Sequence, residues 1–165
     1  MNTVRVLLAN SDRRLNNLIE VAVRDVCYDQ LLVECSTTIR LDELLHRGCE
    51  DDVGLIFVAP DHLVAGPPQR ARQVPMEDAA QAIRTIKSHR SVPIIVVGVR
   101  ADLELALLEA GAESVFGILM DRDRLRSEIR RALRLLENVD EPQPEPSRWS
   151  FGAGLLRGLQ KLRQT

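Results

Sequence analysis

The feature that most narrows the fold is a seven-residue run, VGLIFVA at 53–59, that is apolar at every position. A strand with one wet face alternates apolar and polar residues, whereas a strand that is apolar throughout has to be covered on both faces. PIIVV at 93–97 repeats the pattern, and VRVLLA at 4–9 carries it up to the turn-forming Asn10-Ser11-Asp12. LLVEC at 31–35 and SVFGIL at 114–119 are weaker versions. Between these runs the period changes to that of a helix. Leu15, Leu18, Ile19, Ala22, Val23 and Val26 stand at i, i+3, i+4, i+7, i+8 and i+11, one continuous apolar stripe.

A short helix is expected through Leu41, Leu44 and Leu45, with Thr37 and Thr38 as caps and Gly48 as its stop. Further helices fit 77–88, 101–110 with Gly111 at the end, and 121–137, where Leu125, Ile129, Ala132, Leu133 and Leu136 form the stripe. Five strands alternating with five helices predict an α/β protein with a parallel sheet covered on both faces. Aromatics are only 3% of the chain, so its core has to be built from Leu, Val, Ile and Ala.

Two segments break the alternation. Residues 61–75 read as a long loop holding Gly66, Pro67, Pro68 and Pro75, where α/β connections usually take only ~2–6 residues. DEPQPEP at 140–146 is an extended, proline-rich linker. The chain therefore divides into a domain over 1–137, a linker over 138–147 and a tail over 148–165.

Cys27, Cys35 and Cys49 stand at no metal-like spacing, and any disulfide scheme leaves one unpaired. Reduced thiols in a cytoplasmic protein are expected. No basic-then-apolar leader pattern opens the sequence, and no apolar run approaches the ~18 residues of a membrane span. The net charge of −2 excludes a molecule that is basic overall and binds nucleic acid by its charge.

The order of elements over 1–137 resembles the receiver domain of two-component response regulators. The likeness is greatest in VPIIVVGVRADLELALLEAGAESVFGILMDRDRLRSEIRRAL, which looks like a receiver's fourth strand through its fifth helix. Leu-Glu-Ala-Gly-Ala at 108–112 and the Asp-x-x-x-Leu spacing at 121–125 carry it most clearly. The resemblance implies a doubly wound, flavodoxin-like sheet of strand order 2-1-3-4-5. It also implies five chemical positions at the carboxyl ends of the strands. These are two carboxylates that help hold Mg²⁺, a phosphoryl-accepting aspartate, a hydroxyl, and a lysine that contacts the phosphoryl group.

This sequence departs from that pattern at every one. The acidic pair aligns with Asn10 and Ser11, the acceptor with Ala59, the hydroxyl with Gly98 and the lysine with Ile118. Leu119 stands where a proline usually follows the lysine, and Val115 where a switch aromatic is usual. Asp61, two residues beyond Ala59, is the remaining candidate acceptor, but Pro60 argues against a strand that continues to it. Asp12 is better placed as a helix cap than as a metal ligand. The expectation is a degenerate pseudo-receiver with no catalytic residues, no metal and no cofactor.

Other chemistry is thin. His46, His62 and His89 fall on three separate elements, and an Asp61–His62 pair is weighed against an ordinary solvated loop. Neither a Gly-x-Gly-x-x-Gly nor a Walker pattern occurs. Nothing assembles a nucleophile, a base and an oxyanion site, so no enzyme and no small-molecule substrate are expected.

The tail is the positive feature. From Arg148 onward there are four basic residues (Arg148, Arg157, Lys161, Arg163) and no acidic one. Phe151, Leu155, Leu159 and Leu162 recur at four, four and three residues, with Leu156 beside them. This is the pattern of a short basic amphipathic helix, weakened by Gly152, Gly154 and Gly158, which cost ~1 kcal/mol each in isolation. It can pack on its own domain or on a second copy, enter a groove on another protein, or lie on an anionic membrane surface beside Trp149. Recognition is therefore assigned to Trp149, Phe151, Leu155, Arg157, Leu159, Lys161 and Leu162, then to Arg70 and Arg72 of the inserted loop. The function expected is a phosphorylation-independent signalling or scaffold module. The alternatives are a phosphorylatable regulator using Asp61 and a membrane-surface adaptor.

Overall fold

A computed structural model of the chain describes residues 2–135. The proposed tail residues, the linker and Leu136 of the last apolar stripe lie outside the described residues.

The elements run β1 (Asn2–Ala9), α1 (Arg13–Cys27), β2 (Leu31–Thr38), α2 (Leu41–Gly48), β3 (Val53–Val58), α3 (Met76–His89), β4 (Ile94–Val96), α4 (Glu104–Ala110), β5 (Ser114–Val115) and α5 (Arg122–Leu133). The five strands make one parallel sheet in the order β2-β1-β3-β4-β5. This is the doubly wound arrangement expected from the sequence.

Alternation along each strand divides the core in two. Val6 and Leu8 of β1, Leu55 and Phe57 of β3, and Ile95 of β4 pack under α1 and α5 with Ile19, Val23, Leu125 and Ile129. Leu7, Ala9, Ile56, Val58, Ile94 and Val96 pack on the other face against Leu44 of α2, Ile83 and Ile86 of α3 and Leu107 of α4. The period-2 geometry of a strand forces this split once both faces are covered. The pairing of β1 with β3 slips once: Arg5 aligns with Val53 and Val6 with Leu55, so Gly54 is the extra residue of a bulge. A Cβ on Gly54 would stand 2.5 Å from Val4 Cγ2.

Four local expectations need correction. Thr37 and Thr38 do not cap α2. They extend β2 in register with Leu8 and Ala9, because β1 is eight residues long and its ladder occupies their backbone. Residue Arg40 precedes α2 without a side-chain cap, and the Thr38 hydroxyl donates to Glu43 Oε2 at 2.7 Å.

Residues 61–75 are not a plain loop. A 3-10 turn (Pro60–His62) leads into a two-stranded hairpin of Val64–Ala65 and Arg72–Gln73, with a second 3-10 turn at Pro68–Arg70. Leu63 and Val74, both buried in the α2/α3 side of the core, pin the two ends of the hairpin, and Val74 N–H donates to Leu63 O at 3.2 Å. The positive φ of Gly66, 92°, allows the tip to turn.

The fifth strand stops at Val115 rather than at 119. β4 has only three residues, so the ladder runs out: Phe116 N–H reaches Val96 O at 2.8 Å, and the chain then turns outward. The last two helices also differ at their ends. A 3-10 turn (Ala101–Leu103) precedes α4, which Gly111 ends at φ 114°, and α5 stops at Leu133. No helix among the described residues is long and apolar enough to cross a membrane.

Candidate functional site

Open parallel sheets place ligands at the carboxyl ends of their strands. Here that edge is stitched by backbone hydrogen bonds from strand to strand. Ala59 N–H donates to Ala9 O at 3.0 Å, Val97 N–H to Val58 O at 2.9 Å, and Val99 N–H to Phe116 O at 3.1 Å. Asn10 and Ala59 thus follow β1 and β3 directly, and Gly98 stands two residues beyond β4. Ile118, by contrast, has left the sheet and is 78% exposed.

Asn10 is 2% exposed and fully engaged. Its Oδ1 accepts Asp12 N–H at 3.0 Å, and its Nδ2 donates to Asn16 Oδ1 at 3.1 Å and more weakly to Asp12 O at 3.4 Å. Asn16 Nδ2 returns a bond to Asn10 O at 3.0 Å. Two neutral amides thus lock the β1–α1 turn from inside. Asp12 caps α1, its Oδ1 accepting the N–H groups of Arg14 at 2.9 Å and Leu15 at 3.3 Å. Asn16, 9% exposed, was missed by the sequence reading. Its signal was present: it is a polar residue in the first turn of α1, on the same face as Ile19 and Val23.

Among the described residues, Ala59, Gly98 and Ser11 add no charged group to this edge. Ala59 is buried among the residues under α1 and α5 and offers a methyl group. Gly98 is at φ 72° with no atom within 4 Å of where a Cβ would stand, so backbone conformation, not crowding, sets that position. Ser11 is exposed. Mg²⁺ wants several oxygen ligands with carboxylates among them. Here the first position is an amide whose oxygen already accepts a hydrogen bond. Among the described residues no three or more His, Cys, Asp or Glu side chains converge on a metal position. The donor set does not fit the ion.

The nearby cation is also engaged. Arg100 forks onto Asp102, with Nε at 3.1 Å and Nη2 at 2.6 Å from the two carboxylate oxygens. The hydrogen bond and charge of Asp102 raise the Arg100 pKa, with a smaller contribution from the charge of Asp61, and Arg100 in turn holds Asp102 below its usual range. Asp61 is exposed on its 3-10 turn with half-buried His62 beside it, while His46 and His89 lie away on α2 and α3. Arg70 and Arg72 are exposed at the hairpin and make no ion pair among the described residues.

Val115 is buried on the α4 side of the sheet. The adjacent aromatic, Phe116, points to the opposite side and lies under the Arg124 guanidinium, 4.5 Å from the ring centre. Cys27 and Cys35 behave as packing residues. Burial raises both thiols, Cys35 to about 11 with a lesser push from Glu20.

No family model matches the chain, and no curated protein is detectably similar to it in sequence. Solved structures with the same fold are receiver domains. The receiver domain of the sensor histidine kinase PA1611 from Pseudomonas aeruginosa PAO1, described with a magnesium ion coordinated in its active-site cleft, is 16% identical with a TM-score of 0.56, covering 80% of this chain and 98% of that one. The receiver domain of NtrX from Brucella abortus gives 16% identity and a TM-score of 0.59 over 79% and 99% of the two chains. The beryllofluoride-activated NtrC4 receiver domain, a dimer, gives 16% and 0.59 over 79% and 96%. At these identities the likeness establishes the fold, and the fold is that of a receiver.

Proposed function

We propose that this receiver-fold chain is a pseudo-receiver, a signal-transduction module that works through protein–protein contact without a phosphoryl input. The observation that carries the reading is Asn10. In place of a metal-binding carboxylate stands a buried amide with its hydrogen bonds already made within the turn. The neutral residues Ala59, Gly98 and Ile118 at the other positions support the same reading. With Val115 rather than an aromatic at the coupling position, the surface around α4, β5 and α5 stays in one state, and regulation comes from a partner. A second copy of the chain is one such partner, in keeping with the dimeric NtrC4 receiver. Recognition is assigned first to the basic amphipathic tail and then to Arg70 and Arg72.

The test is an amide NMR titration of the intact protein with beryllofluoride and Mg²⁺. No saturable shift is expected along the carboxyl edge of the sheet. A saturable shift that disappears in Asp61→Asn would replace this reading with that of a working phosphate switch.

A further inference from the structure

β2 (Leu31–Thr38) is the outermost strand of the sheet. It pairs with β1 along its whole length, and no strand lies on its other side among the described residues. We infer that this outer edge pairs antiparallel with β2 of a second copy of the chain, about a two-fold axis at Cys35, joining the two sheets into one. The inference deepens the reading above, in which a partner regulates the chain, and rests on it only for what the dimer would control.

Edge strands are usually blunted by shortness, proline, a bulge, lysine or a covering element. The opposite edge follows that rule, since β5 is only Ser114–Val115. β2 does not. It contains no proline and no lysine, and its register with β1 runs without a shift. Its single charge, Glu34, faces Arg5 of β1 at 3.7 Å. Large apolar side chains are left open along it: Tyr28 just before the strand is 79% exposed, Leu32 within it 52%, and Ile39 just after it 47%.

Backbone direction decides which groups are available. Thr38 O accepts Asn10 N–H at 3.0 Å, so the even-numbered residues of β2 turn their backbone groups toward β1 and the odd-numbered ones turn theirs outward. Arg47, on α2, accordingly reaches Thr37 O at 3.2 Å. No other hydrogen bond among the described residues engages the outward groups of Val33, Cys35 or Thr37.

An antiparallel seam must set outward residues against outward residues, which leaves few registers. Centring it on Glu34 opposes like charges, and centring it on Val33 or Ser36 gives up part of the overlap. Centring it on Cys35 sets Leu32 opposite Thr38, Val33 opposite Thr37 and Glu34 opposite Ser36, with about six backbone hydrogen bonds. Glu34 and Ser36 then form the closer, non-bonded pairs. Ser36 Oγ, buried without a hydrogen-bond partner among the described residues, gains a carboxylate opposite. Ile39 comes beside Leu31 at the start of the other strand. This self-complementarity is what a two-fold interface requires, and it selects a second copy over an unrelated chain.

The test follows amide hydrogen exchange in the intact protein as its concentration is raised, with mass measured by light scattering. A dimer is expected in which the Val33, Cys35 and Thr37 amides slow with concentration, while Leu32, Glu34 and Ser36, bonded to β1, are slow throughout. Thr37→Pro removes an outward N–H and spares the β1 ladder, a place where an edge strand accepts proline. It should weaken self-association by about tenfold or more. Leu32→Lys, at an exposed position, should weaken it as well without touching the backbone. A monomer at every concentration, a dimer whose outward amides stay fast, protection of those amides that ignores concentration, or a dimer undiminished in either variant would overturn the inference. The beryllofluoride titration reads the pseudo-receiver proposal alone, so the two fail separately.

Discussion

Replacing Asn10 by aspartate, the residue type that the resemblance to receivers implies there, should destabilise this protein at neutral pH by about 2–3 kcal/mol. Asn10 Nδ2 donates two bonds, to Asn16 Oδ1 at 3.1 Å and Asp12 O at 3.4 Å. A carboxylate turns both into approaches of oxygen on oxygen. Losing the shorter bond costs about 1 kcal/mol, and leaving its buried partner unsatisfied adds about 1–3 kcal/mol. Rotating the Asn16 amide to offer Nδ2 to the new carboxylate would rob Asn10 O of its donor at 3.0 Å. The nearby start of α1 favours a negative charge and offsets about 0.3–1 kcal/mol. Desolvation therefore outweighs the dipole.

The penalty falls on the ionised form, so the introduced carboxyl has a raised pKa in the folded state. Its deficit relative to the parent is then full above that pKa and shrinks as pH falls toward the unfolded value of about 4. Urea unfolding of parent and variant, compared at pH 7 and again near pH 4, measures both effects. A variant within about 0.5 kcal/mol of the parent at pH 7, or a gap that widens on acidification, would refute the account of the amide lock.

Two further outcomes follow from the packing. Gly54→Ala sets a methyl against Val4 Cγ2 at 2.5 Å inside the β1–β3 bulge and should cost about 1–3 kcal/mol in urea unfolding; Val4→Ala in the same chain should recover part of it, and no recovery would point away from that clash. Cys35, held at about 11 against an ordinary 9.0, favours folding only while it is a thiol. Its contribution, of order 1 kcal/mol after allowing for its partial exposure, is present below pH 9 and lost as pH rises toward 11. The midpoint of thermal unfolding should fall over that window less steeply in Cys35→Ala than in the parent.

The alternation of strand and helix was legible because it is written locally. VGLIFVA needs two covered faces whatever its neighbours are, and the stripe from Leu15 to Val26 needs only its own 3.6-residue period. That position 59 offers a methyl group and no nucleophile was legible for the same reason. What the sequence alone could not supply were relations between distant residues. Thr37 and Thr38 have good capping side chains, yet pairing with Leu8 and Ala9 claims them for a strand. The hairpin within 61–75 exists because Leu63 and Val74 find a common core with α2 and α3.

Side-chain identity at each position thus determined what this chain can bury and which side chains its sheet edge can offer. Tertiary structure decided who meets whom. It made Asn10 half of a buried amide pair with Asn16. It also brought Arg14 and Arg122, more than a hundred residues apart in the chain, to the lining of one groove between α1 and α5. Propensity and period act over a few residues, whereas burial and charge depend on the neighbours that packing supplies.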